Sequence, residues 1–161
     1  MGAGKSTVGR QLAEVLRMEF VDSDHEIQRR TGVDIPTIFE FEGEQGFRNR
    51  EQAVIDDLTA REGIILATGG GAILREENRL HLSSRGFVVY LQCTPAQQFE
   101  RTRRDKNRPL LQTENPLERL ISLMRIRDPF YRQIADLVIS TEGRNTQSVV
   151  REIIKCLEPI S

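Results

Sequence analysis

Gly2-Ala3-Gly4-Lys5-Ser6-Thr7 brings together the residue types that hold a nucleotide's phosphates. In the pattern Gly-x4-Gly-Lys-[Ser/Thr], glycine N–H groups wrap phosphate oxygens, the lysine reaches the β- and γ-phosphates, and the hydroxyl binds Mg²⁺. Gly4, Lys5 and Ser6 fill its last three places. Its first glycine falls two residues ahead of Met1, and the buried strand that aims such a loop falls before that, so a natural start about ten residues upstream is expected. A lone Gly-Lys-Ser also occurs in ordinary turns. Here Val8, Leu12, Val15 and Leu16 follow at helical spacing, marking an amphipathic helix whose N-terminal dipole favours an anion.

Three further groups suit phosphoryl transfer to a small acid. Asp22 and Asp24 follow the apolar pair Phe20-Val21, and in an extended chain residues two apart point to one side. One carboxylate can hold Mg²⁺ through water, while the other accepts a proton from a substrate hydroxyl. The alternative is an N-cap role for Asp24, ahead of a helix. Gly69-Gly70-Gly71 follows Ile64–Ala67 and Thr68 and offers backbone amides to a substrate oxygen or the γ-phosphate, or is a bare turn. Arg48 and Glu51 share a helix face at i and i+3 beside Phe39, Phe41 and Phe47, which would wall a pocket around a guanidinium suited to a carboxylate. A surface ion pair is the plain reading.

Residues 101–108, Arg-Thr-Arg-Arg-Asp-Lys-Asn-Arg, hold five cations and one acid ahead of Pro109. Most such runs are solvated faces. In a chain without net positive charge this one fits a lid that closes over phosphates, whereas RNA contact lacks interleaved aromatics. Arg127, just before Asp128-Pro129, is expected to end a helix. His25 and His81 have no metal-like partners and read as surface residues.

The elements that must position these groups alternate. Short apolar runs at Phe20-Val21, Ile64–Ala67, Phe87–Leu91 and Leu137–Ile139 read as strands buried on both faces. Helical periods cover 4–17, 46–62, 95–104, 116–127 and 146–158, with a further helix near 76–85. The alternation predicts an α/β fold, a parallel sheet with helices on both sides. The phosphate loop asks for a fifth strand at the centre of that sheet. At 161 residues this is one domain, and 23 basic against 24 acidic residues give a net charge of −1, which excludes a global footprint for nucleic acid or anionic membrane. No apolar run approaches the roughly 18 residues of a membrane span, and no signal peptide is visible. Cys93 and Cys156 lack metal-ligand spacing and read as free thiols of a reducing cytosol.

Together, Gly-Ala-Gly-Lys-Ser-Thr, Asp22-Ser23-Asp24, Gly46-Phe47-Arg48 with Glu51, Gly69-Gly70-Gly71, Arg108-Pro109-Leu110-Leu111 and Arg127-Asp128-Pro129-Phe130-Tyr131 closely resemble shikimate kinase along nearly the whole chain. The resemblance implies a three-layer P-loop kinase fold with a five-stranded parallel sheet, a substrate-binding region over about 24–62 and a mobile lid over about 102–115. It implies transfer of the γ-phosphoryl of ATP to the 3-hydroxyl of shikimate, with Mg²⁺, by a cytoplasmic monomer on the route to chorismate. The implied roles are these. Gly2, Ala3, Gly4, Lys5, Ser6 and Thr7 cradle phosphates, Lys5 steadying the β- and γ-groups, while Ser6 and Asp22 hold Mg²⁺. Asp24 binds ring hydroxyls and acts as base; Arg48, oriented by Glu51, and Arg127 grip the carboxylate; Gly69, Gly70 and Gly71 offer amides. Arg108 reaches the transferring phosphate from the lid, and Arg101 and Arg144 match adenine-side positions more loosely.

Two other readings compete. One is an inactive kinase-like module that binds substrate or partner proteins, which ATP turnover distinguishes. The other is a related kinase for a different polyol acid such as gluconate, against which Asp24 with Arg48 and Arg127 argues.

Overall fold

The computed structural model describes residues 4–92, 94, 96 and 116–157. Gly2, Ala3, Arg101, Arg108, the lid segment and nearly all of the helix expected over 95–104 lie outside the described residues.

Helix α1 (Lys5–Leu16) starts inside the loop, and Gly4 caps it at φ 80° and ψ 24°, a left-handed conformation that glycine adopts without a Cβ clash. Val8, Leu12 and Ala13 line its buried face, but the stripe narrows at the last turn, where Val15 is 60% exposed. Strand β1 (Glu19–Asp22) runs directly into α2 (Ser23–Thr31). That helix has no apolar stripe; it is held by its caps, Asp22 and Gly32, and by Glu26 pairing with Arg29 and Arg30. Periodicity therefore could not reveal it.

Helix α3 (Ile35–Thr59) starts earlier than the expected 46–62 and bends at Gly43, where φ is 73°. Ile35, Ile38 and Phe47 turn inward, Phe39 packs on Phe47 with ring centroids 5.0 Å apart, and Phe41 is 79% exposed. Only two of the three phenylalanines thus back the arginine. Phe41 lies six positions after Ile35, off the i, i+3, i+4 face that Ile35, Ile38 and Phe39 occupy.

Strand β2 (Ile64–Ala67) leads through the glycine run and a 3₁₀ turn (Ala72–Leu74) to α4 (Glu76–Arg85), and β3 (Val89–Gln92) follows. Helix α5 (Pro116–Ile134), β4 (Leu137–Ser140) and α6 (Thr146–Leu157) complete the described chain. Helix α5 does not stop at Arg127; it carries Pro129 internally. A proline inside a helix costs about 3 kcal/mol. Buried Leu120, Leu123 and Arg127 offset that cost, and the following turn closes with Ala135 N donating to Tyr131 O at 3.0 Å.

The strands form two parallel pairs, β1 with β2 (Glu19 opposite Ile64, Asp22 opposite Ala67) and β3 with β4 (Val89 opposite Leu137, Gln92 opposite Ser140). Alternation along β2 makes three layers. Ile65 packs with α1, α6 and β4 residues around Val8, Leu12, Ile139 and Ile153, whereas Ile64 and Leu66 pack with α2 and α3 residues around Ile27, Ile38, Val54 and Leu58. Fully burying each such side chain stabilises the fold by roughly 1.5–3 kcal/mol. The four expected strands are all present, but as two separate pairs; the fifth, expected ahead of Met1, is not among the described residues, and a cavity of about 560 Å³, lined in part by β2, β3 and α1, lies between the pairs. No described helix is long and apolar enough to cross a membrane.

Candidate functional site

Parallel pairing puts the last residues of β1 and β2 side by side, so the turns that follow them face one site. Lys5, from the first turn of α1, donates through Nζ to the carbonyl of Thr68, at the end of β2. The Lys5 ammonium, Asp22, Asp24 and the glycine run thereby share one edge. Ser6 and Thr7 are exposed in the same first turn.

Asp22 and Asp24 are not spaced along an extended chain. Asp22 ends β1 and caps α2, its Oδ1 accepting from Asp24 N at 2.9 Å and His25 N at 3.3 Å. The N-cap is therefore Asp22, not Asp24. Asp24, one residue into the helix, aims its carboxylate at Gly69: a Cβ on that glycine would lie 2.6 Å from Oδ1. Ser23 between them is fully buried, and its Oγ accepts from Gly69 N at 3.3 Å. Sequence reasoning passed over Ser23, whose only signal was its place between two acids. With the Gly69 amide so engaged, the Gly70 and Gly71 amides have no hydrogen-bond partner among the described residues.

Arg48 is buried, as is Glu51, and the two pair at 2.9 Å with Glu44 at the rim 3.5 Å from the same guanidinium. The Arg48 guanidinium lies 5.2 Å from the Phe47 ring centre and presses against Gly71. Burial pushes the Glu51 carboxyl up from its ordinary value, an effect that Arg48 opposes and Asp24 adds to. From the other side α5 brings Arg127, 4% exposed, whose Nε has no hydrogen-bond partner and which forms no ion pair among the described residues. Burial pulls its guanidinium down from its ordinary value, with Arg48 lowering it further and Tyr131 and Glu51 opposing. Arginine nevertheless stays charged in a protein. A second buried guanidinium thus stands near the Arg48–Glu51 pair beside the glycine loop without an ion-pair partner of its own among the described residues, an arrangement that welcomes an anionic group.

Arg144 lies elsewhere. It precedes α6 and donates to Ser148 Oγ at 2.8 Å and Glu152 Oε2 at 3.2 Å, with no described contact to the residues above. His25 is exposed as expected, but His81 is partly buried, with Nδ1 3.7 Å from Asp56 Oδ1.

The family model described as shikimate kinase matches residues 1–158 of this chain. A shikimate kinase of Methylococcus capsulatus is 61% identical over 158 residues, covering 98% of this chain and 88% of the relative. One of Thioalkalivibrio sulfidiphilus is 61% identical over 153 residues, covering 95% and 80%. Among solved structures, shikimate kinase from Acinetobacter baumannii in complex with shikimate superimposes with a TM-score of 0.95 at 54% identity, covering 98% of this chain and 88% of that one. The Bacteroides thetaiotaomicron shikimate kinase gives a TM-score of 0.89 at 32% identity, covering 99% and 94%.

Proposed function

The chain belongs to the shikimate kinase family, and we propose how its own residues divide the labour of an ATP-dependent shikimate kinase. The observation that carries the assignment is the pair of buried arginines Arg48 and Arg127, of which Arg127 forms no ion pair among the described residues. Shikimate's carboxylate supplies a countercharge for Arg127, and its ring then lies between the arginines and Asp24. Asp24 accepts the proton of the 3-hydroxyl as that oxygen bonds to the γ-phosphorus and the bond to the β–γ bridging oxygen breaks. The Gly70 and Gly71 amides orient substrate oxygens.

Gly2, Ala3, Gly4, Ser6 and Thr7 surround the phosphates by backbone, and Lys5 exchanges the Thr68 carbonyl for β- and γ-phosphate oxygens. The Ser6 hydroxyl and the Asp22 carboxylate are hard oxygen donors that fit Mg²⁺, and capping uses only Oδ1 of Asp22, leaving Oδ2. When bound, Mg²⁺ supplies positive charge to the phosphate oxygens. Arg108, in a lid over about 102–115, adds charge at the transferring phosphate, and Arg101 and Arg144 serve the adenine side.

The finer architecture goes with this reading: one five-stranded sheet, its central strand between β2 and β3, in a cytoplasmic monomer with a substrate region over about 24–62. The apolar cavity between the two pairs supports the strand position. A coupled ADP-release assay with shikimate, gluconate or no acceptor tests the function. ADP release that requires shikimate is expected; release with gluconate alone would move the assignment to another polyol acid.

A further inference from the structure

Tyr131 has none of the roles assigned above. It follows Arg127 by four residues on α5, so the two side chains lie on one helix face. Its hydroxyl donates to the carbonyl of Gly70, and its phenol oxygen also meets the Arg127 guanidinium. The ring is held in turn. It packs on Tyr90 with centroids 4.7 Å apart, Tyr90 Oη donates to Asp128 Oδ1 at 2.8 Å, and Asp128 Oδ2 accepts from Arg132 Nε at 2.9 Å.

Resting on the reading that Arg127 grips the acid and the loop amides meet the substrate, we infer that Tyr131 is a positioning residue that fixes the Gly70–Gly71 peptide and the Arg127 guanidinium in one arrangement. In a trans peptide the carbonyl of residue 70 and the N–H of residue 71 point in opposite directions. A peptide flanked by glycines meets little steric resistance to turning over. The bond from Tyr131 removes that freedom, because holding the Gly70 carbonyl on the α5 side turns the Gly71 N–H away from it. Burial pushes the Tyr131 phenol up from its ordinary value, so the hydroxyl keeps the proton it donates. The same side chain also interacts electrostatically with Arg127, so the acid clamp and the amide donor are coupled through Tyr131.

The test is Tyr131→Phe, which keeps the ring and its packing on Tyr90 and removes only the hydroxyl, with Tyr90→Phe as the control that leaves the Gly70 contact intact. Calorimetric titration should show shikimate binding weakened about three- to tenfold in Tyr131→Phe, the usual consequence of losing one hydrogen bond. ATP affinity should stay at the wild-type value in both variants, and shikimate affinity should stay there in Tyr90→Phe. Unchanged shikimate affinity in Tyr131→Phe, equal weakening of both ligands, or an equal loss in Tyr90→Phe would overturn the inference. A wild-type chain that binds no shikimate would overturn the underlying reading first, before any variant is compared.

Discussion

The Arg48 guanidinium occupies the space that a side chain at residue 71 would need: a Cβ on Gly71 would lie 2.3 Å from its Nη2 and 2.5 Å from its Nη1. Gly69 stands in the same relation to Asp24, at 2.6 Å from Oδ1. The glycine run therefore clears room for two charged groups as well as presenting amides. The two outer glycines serve different partners, which makes them separable. Gly71→Ala should displace the acid clamp and raise the KM for shikimate about tenfold or more, while Gly69→Ala should displace the base and act mainly on kcat, since misplacement by about 1 Å can cost on the order of 100-fold. Steady-state kinetics on both variants decides this, and identical profiles would refute the separate roles.

Asp22 is both a helix cap and a metal-ligand candidate, and two substitutions pull these apart. Asp22→Asn keeps a capping oxygen and should leave the melting temperature nearly unchanged, whereas Asp22→Ala should cost about 1 kcal/mol of stability. If the carboxylate also serves Mg²⁺, Asp22→Asn should need more Mg²⁺ for half-maximal ADP release. An unchanged Mg²⁺ titration would leave Asp22 as a cap alone.

Glu26 links α2 to itself and, through Arg30, to Asp57 on α3. Hydrogen bonds from Arg29 and Arg30 hold its carboxyl well below the usual carboxylate range, at about 2. A depressed carboxyl contributes stability that is fully present above its unfolded value and lost as pH falls through the folded one. This contribution should therefore be complete above about pH 5 and fade toward pH 2. Thermal unfolding of wild type and Glu26→Gln should differ at pH 7 and converge in acid; a constant difference down to pH 2 would contradict it.

The strands were legible because β-branched and aromatic runs stand out, and each described strand overlaps an expected run; burial on both faces was not met, since Val138 in β4 is exposed and Phe87 lies outside β3. Helix α2 showed only through the capping alternative at Asp24, because Asp22, Gly32 and the Glu26 ion pairs rather than an apolar face define it. The pairing of Arg48 with Glu51 followed from helical spacing and its enclosure from the neighbouring phenylalanines, but the closing of that pocket by the glycine run and α5 did not, since it depends on segments distant in sequence meeting in space. Arg127 was expected at a helix end because proline usually marks one; packing of α5 carried the helix past Pro129. Ser23 and Tyr131 act through backbone groups distant in sequence, and no local pattern announces such bonds.

The central claim is that Arg127 is held buried for a substrate carboxylate. Calorimetric titration of shikimate into wild type and Arg127→Ala, with thermal unfolding to verify folding, tests it most directly. Loss of a charged hydrogen bond should weaken binding by about 1.5–3 kcal/mol in the variant, and the methyl ester of shikimate should bind both proteins with the same low affinity. Equal shikimate affinity in wild type and Arg127→Ala would contradict the clamp.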